Sequence, residues 1–141
     1  MAQEPDIDVG AITEALNNKV DTDVGNVNTT GSAQIVRYAM PSTANPVSLT
    51  PSNNATYNAT VDGYIYLRGV VASSGAHIML SITRTSDNTP LYGFSQYQST
   101  TYYDMKNMIP ISAGMTATIT YSNVDSVIWR FIYAKGSEPQ S

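Results

Sequence analysis

Cysteine is absent from this chain of 141 residues, and charged side chains are scarce. Without thiols there can be neither a disulfide framework nor a thiolate metal site. Only 13% of the residues are charged, whereas soluble domains usually carry about a quarter. Ser, Thr, Asn, Gln and Tyr supply the polarity instead, and stability must come from packing or from assembly.

Basic residues are too few to form a nucleic-acid site. The net charge is -4 and the sequence pI is near 4.6. Because neutralisation of phosphates supplies most nucleic-acid affinity, we expect no nucleic-acid partner.

Long apolar runs are missing as well. The acidic N-terminus "MAQEPDIDV" lacks the basic and apolar regions of a secretory signal, and no run approaches the roughly 20 apolar residues that span a bilayer. We therefore expect no membrane insertion.

One amphipathic segment stands near the N-terminus. Apolar residues recur in it at spacings of three and four: Val9, Ile12, Leu16 and Val20. This spacing predicts a short α-helix, which is marginal in water unless its stripe closes a three-helix bundle or docks on another protein. The following "DTDVGNVNTTGSAQ" is rich in turn formers and predicts an extended linker. We therefore divide the chain into an attachment or trimerisation segment (1–34) and a head domain (35–141).

From residue 35 onward the apolar pattern has a period of two. "QIVRYAM" is the first predicted strand, "YIYLRGVVA" and "HIMLSITR" follow, "LYGFSQYQSTTYYDMKN" holds one or two aromatic strands, and "TATITYS" comes after a glycine turn. No helical pattern long enough for a crossover lies between them. The head is therefore predicted to be mainly β, an antiparallel β-sandwich or jelly roll, with a closed barrel as the alternative.

The final predicted strand, "DSVIWRFIYA", is apolar on both faces. Trp129 and Phe131 alternate with Ile128 and Ile132. Since a sandwich covers only one face of each sheet, one of these pairs is predicted to lie in the core and the other in a subunit interface.

Catalytic and metal sites find little support. His77 is the only histidine, and no nucleophile-elbow motif accompanies it. "DTDVGN" has two aspartates of a calcium loop but lacks the closing glutamate. The aspartates of the head, which are Asp62, Asp87, Asp104 and Asp125, show no pairing suited to glycoside cleavage. We expect neither enzyme activity nor a metal or other cofactor.

Aromatic residues are the richest feature, with ten tyrosines in the chain. Four of them crowd into one stretch beside Gln, Ser and Thr: Tyr92, Tyr97, Tyr102 and Tyr103. Such a mixture can stack on sugar rings and hydrogen-bond their hydroxyls, which predicts a glycan site. The alternative is that tyrosine is simply a good strand residue.

Four stretches support a family comparison, one near the N-terminus and three in the head. "ITEALNNKVDTDVGNVNTTG" resembles a motif of bacteriophage tail-fibre and head-fibre proteins, in which it joins a virion-attachment region to a trimeric distal part. "ATYNATVDGYIYLRG", "IPISAGMTATITY" and "VIWRFIYAKG" are similar to the small β-heads of such fibres, which are jelly rolls of the trimeric complement-type and tumour-necrosis-factor-like kind.

The resemblance implies a homotrimer that is part of the virion, held to a capsid or tail protein by its N-terminus, with its head turned outward toward host-surface polysaccharide. About forty residues before the head leave no length for a long shaft, which favours a capsid-decorating head fibre. A short tail fibre or other tail receptor-binding protein is the first alternative. A glycan-binding module and a depolymerase are the others.

Overall fold

The computed structural model describes residue 33 and residues 36–139. The chain divides into two units, Met1–Val36 and Arg37–Ser141. The predicted N-terminal helix, with Val9, Ile12, Leu16 and Val20, lies outside the described residues and stays a prediction.

The second unit is an antiparallel sandwich of eight strands. In chain order they are β1 (Val47–Leu49), β2 (Thr56–Asn58), β3 (Gly63–Val71), β4 (Ala76–Arg84), β5 (Pro90–Gln98), β6 (Asp104–Ile111), β7 (Met115–Ser122) and β8 (Val124–Tyr133), with a 3-10 helix at Lys135–Ser137. One sheet has the order β1-β8-β3-β6 and the other β2-β7-β4-β5. Eight strands in two sheets of this order form a jelly roll, which confirms the predicted fold class.

Alternating burial in β3 and β4 explains why these segments become central strands. Ile65 and Leu67 of β3 are fully buried, while Tyr64 and Tyr66, which alternate with them, face outward. In β4 the apolar residues Ile78, Leu80 and Ile82 face the same core from the opposite sheet. Period-two burial of this kind is what a sheet with one covered face requires.

Phe131 of β8 fixes the contact between the two sheets at one end of the core. It is fully buried, and its ring lies 5.1 Å from that of Tyr57 on the opposite sheet and 5.1 Å from that of Tyr133. A Cβ at Gly63 would come within 2.5 Å of the Phe131 ring. Glycine at position 63 is therefore what allows the backbone of β3 to approach this ring.

The first predicted strand, "QIVRYAM", is not a strand over its described part. Residues 36–39 are helical, and the Met40 amide donates to the Arg37 carbonyl. Sheet pairing begins only at Pro41, which forms an isolated bridge with Ala134. Alternating side chains alone do not make a strand where no neighbouring strand offers hydrogen-bond partners.

Candidate functional site

The outer face of the sheet β1-β8-β3-β6 carries many apolar side chains, and we call it the apolar face. The register aligns its outward residues in three cross-strand rows, which are Pro110, Tyr64 and Ile132; Met108, Tyr66 and Arg130; and Lys106, Arg68 and Ile128. Met108 is 43% exposed, and both tyrosines and both isoleucines are half-buried. Trp129 and Phe131 point the other way and are buried. The structure thus places the two apolar pairs of the last strand on opposite faces.

An ion-pair cluster lies at one border of the apolar face. Arg68 Nε donates to Asp104 Oδ1 at 2.7 Å, and Lys106 Nζ lies 3.8 Å from Asp104 Oδ2. The hydrogen bond from Arg68, together with the charges of Arg68 and Lys106, lowers the pKa of the Asp104 carboxyl. The same contact raises the pKa of Arg68. This border therefore stays ionised at neutral pH.

The outer face of the sheet β2-β7-β4-β5 is hydroxylated over β2, β7 and the end of β4. The register places there Thr56, Asn58, Ser81, Thr83, Thr116, Thr118 and Thr120, while Met79, His77 and Tyr97 lie on the same face nearer β5. Thr116 Oγ1 donates to Asn58 Oδ1 at 2.8 Å, and it lies 2.7 Å from Thr85 Oγ1. Such a face is suited to water, so the two outer faces of the head differ in kind.

Three of the four predicted glycan-site tyrosines lie at one end of the sandwich, which we call the tip. Tyr102 and Tyr103 belong to the β5–β6 loop and are 90% and 46% exposed. The loop is fastened to the end of β3, because Val71 N donates to Tyr103 O and Tyr102 N donates to Val71 O, each at 2.9 Å. Tyr102 has a φ of 63°, unusual for a non-glycine residue. A rigid loop thus holds the Tyr102 ring in solvent.

Tyr97 reaches the tip from the end of β5. Its ring is 72% exposed and stacks on His77 with centroids 4.1 Å apart and an interplanar angle of 12°. His77 Nε2 also lies 2.9 Å from Ser95 Oγ. The stack and this hydrogen bond orient His77, which has no nucleophile–base–acid arrangement around it. The stack has no signal in the sequence, since the two rings are 20 residues apart and meet only through the β4–β5 register.

Tyr92 is not part of the tip. It pairs with Ile82 near the other end of β5, and its hydroxyl donates to Pro110 O at 2.7 Å. Partial burial raises the pKa of this phenol. Tyr92 therefore bridges the edges of the two sheets, away from the three tip tyrosines.

The chain enters the head at the end opposite the tip. Tyr64, at the start of β3, donates its hydroxyl hydrogen to the Ala39 carbonyl, and Lys135 N donates to Met40 O at 2.9 Å. The tip loop is bonded to Val71 at the other end of the same strand. Eight residue steps of β3 span about 26 Å. Entry and tip are thus separated by the length of the sandwich.

Other kinds of site find no counterpart in the part of the chain that the structure describes. No group of three or more His, Asp or Glu side chains there could hold a metal ion. The incomplete calcium motif "DTDVGN" lies outside it. Among residues 36–139, no helix has the length and apolarity needed to cross a membrane.

Comparison with known proteins assigns no family. No family model matches the chain, and a search of curated proteins finds no match. Two solved structures align over 99% of this chain and 100% of their own, with 18% sequence identity and a TM-score of 0.33. Both are described as a pentameric capsid protein isolated from metagenomic phage sequences. A sequence identity and a TM-score this low assign neither a fold nor a function to this chain.

Proposed function

We propose that this protein is a structural component of a bacteriophage virion: a homotrimeric head fibre that is attached to the capsid by its N-terminal segment and adheres to host-surface glycans through its tip. The fibre-like motif between Ile12 and Gly31 suggests the class of protein. The apolar face is the observation that carries the assembly part of the proposal. A short tail fibre remains the alternative location.

The apolar face supports assembly because its composition does not suit water. Two rows on it hold Pro110, Tyr64 and Ile132, and Met108 and Tyr66, with Arg130 at the end of the second row, while much of the opposite sheet presents threonine. Contiguous apolar area bordered by charged groups is typical of a protein interface. Burying a fully exposed Ile or Met side chain contributes about 1.5–3 kcal/mol. Several such residues per subunit, each already partly buried, are enough to favour a stable oligomer.

A pair of lysine substitutions tests the assembly. Ile132→Lys places a charge in the first row of the apolar face, where a partner subunit would desolvate it without a counter-ion. Light scattering on the full chain should then give the mass of a single subunit. Thr118→Lys, on the outer face of the other sheet, is the matched control and should leave the oligomer intact. Circular dichroism checks that both variants remain folded, and an oligomeric Ile132→Lys protein would contradict the proposed interface.

The placement of the exposed tyrosines supports the proposed adhesion through the tip. The tip lies at the end of the head away from the chain entry, so attachment by the N-terminus leaves it turned outward. Tyr97 and Tyr102 are 72% and 90% exposed, and rings held in this way can stack on sugar rings. Ser99, Thr100 and Thr101 beside the rings also offer hydroxyl partners.

Replacing two tip tyrosines tests this adhesion. The double variant Tyr102→Ala, Tyr103→Ala should lose at least about tenfold in affinity for host cells, which corresponds to 1.4 kcal/mol. Tyr38→Ala, an exposed tyrosine near the chain entry, should bind like the wild type. Equal binding by the double variant would remove the tip from the proposal. Immunogold labelling of virions decides between capsid and tail.

A further inference from the structure

Four strands form the edges of the two sheets, and three of them are protected against pairing with another strand. β1 and β2 have only three residues each. β6 is longer but carries Asp104 and Lys106, and Pro110 in it has no amide hydrogen to donate. Short length, charges and proline are the means by which natural sheets prevent edge-to-edge association.

The fourth edge, β5, is neither short nor charged, and its one irregularity is a register shift with β4 near its start, between the pairs Ile82–Tyr92 and Thr83–Pro90. It is nine residues long, "PLYGFSQYQ", without a charged side chain and with proline only at its first position. Its side chains are open to solvent, with Leu91 37% and Tyr92 43% exposed. Among the described residues, no backbone hydrogen bond joins β5 to any strand except β4. The free edge of β5 is therefore a ready template for one more strand.

We propose that β5 pairs antiparallel with β5 of a second copy of this chain, around a two-fold axis at Phe94. In this register Phe94 lies opposite its own copy. Leu91 faces Tyr97 and Gly93 faces Ser95 on the outer side of the sheet, and Tyr92 faces Gln96 on the inner side. Aromatic–aliphatic cross-strand pairs such as Leu91 with Tyr97 are favourable. Because β5 has no charged side chain, this register places no like charges opposite one another. The two four-stranded sheets become one continuous sheet of eight.

The second copy is the occupant that the sequence of β5 fits best. An isologous contact requires a surface that complements itself, and a strand without charge meets that requirement although each chain has a net charge of -4. Gly93 lies close to the backbone of β4, since a Cβ there would clash with Leu80 O, and a groove of about 500 Å³ beside it includes Leu91 and Phe94 in its lining. The partner's Tyr97, opposite Leu91 and diagonal to Gly93, is placed to cover this groove.

This pairing is independent of the proposed trimer, because it uses the edge of one sheet and the trimer uses the outer face of the other. Edge pairing would join separate trimers to one another. Different measurements therefore test the two proposals. If the trimer does not form, the mass of the smallest assembly is not that of three chains. If β5 does not pair, the smallest assembly is unchanged and only its association with further copies at higher concentration is lost.

Sedimentation velocity of the full chain over a range of concentrations measures that growth. The wild type should associate reversibly beyond its smallest assembly. Leu91→Lys should weaken this association by at least about tenfold, since a charge is placed against the partner's Tyr97. Thr56→Lys, on the opposite edge of the same sheet and equally exposed, should associate like the wild type. A wild type that does not associate, as expected if another protein's strand is the occupant, overturns the proposal.

Cross-linking tests the register. Because the chain has no cysteine, every disulfide formed must join introduced residues. A mixture of Leu91→Cys and Tyr97→Cys chains should form covalent heterodimers under mild oxidation, because directly opposite residues have suitable Cβ separations. Thr56→Cys chains mixed with Tyr97→Cys chains should not. Equal yields in the two mixtures would contradict the β5 pairing.

Discussion

Asp104 is the ionisable residue whose surroundings most clearly affect stability. Arg68 donates a 2.7 Å hydrogen bond to it, and the pKa of the carboxyl is lowered in the folded protein. A lowered folded-state pKa adds stability above the unfolded value of about 3.9, and this contribution is lost as the pH falls through the folded value. The contact joins β3 to β6 at the border of the apolar face.

Asp104→Asn should therefore reduce the melting temperature at pH 6 and have a diminishing effect as the pH falls below about 4. Thermal unfolding of wild type and variant at several pH values measures this difference. In an Arg68→Gln background the same substitution should have a smaller effect at pH 6, because the hydrogen-bond donor is gone. A difference between wild type and Asp104→Asn that persists unchanged down to pH 2 would refute the assignment.

At the scale of strands, hydrophobic periodicity predicted the fold class because it reports directly on burial. The runs around Ile65 and Ile78 are strands as predicted, whereas the sequence left open which apolar pair of β8 faces the core, and the structure has Trp129 inside and Ile128 outside. Residues 36–39 were mispredicted, since a similar alternation there has no strand to pair with. Period-two patterns thus identify a strand only where the topology supplies a neighbour.

The predicted tyrosine cluster was only partly recoverable from the sequence. Tyr92 and Tyr97 are five residues apart, an odd number, so they lie on opposite faces of β5. Tyr97 stacks on His77 because of the strand register, which is a long-range property that proximity in sequence does not report. Tyr102 and Tyr103 remain together because they are neighbours in one loop. Proximity in the sequence was therefore a poor guide to proximity of the tyrosine side chains in the folded head.

At the scale of the whole molecule, the head presents three surfaces with different chemistry. The apolar face suits burial between subunits, the threonine face suits water, and the tip carries exposed aromatic rings about 26 Å from the chain entry. None of these placements follows from composition. They depend on which strands occupy the same sheet, and the jelly-roll order determines that.

The number of chains in the free protein is the quantity that tests the proposed trimer most directly. Native mass spectrometry of the full chain, at concentrations low enough to separate edge-paired assemblies, gives this number without a mass standard. One subunit has a mass of 15.2 kDa, so three times this value, 45.6 kDa, is the predicted mass of the smallest stable assembly. A folded protein that remains at 15.2 kDa would contradict the proposed trimer, because the apolar face would then be exposed to solvent in the stable protein.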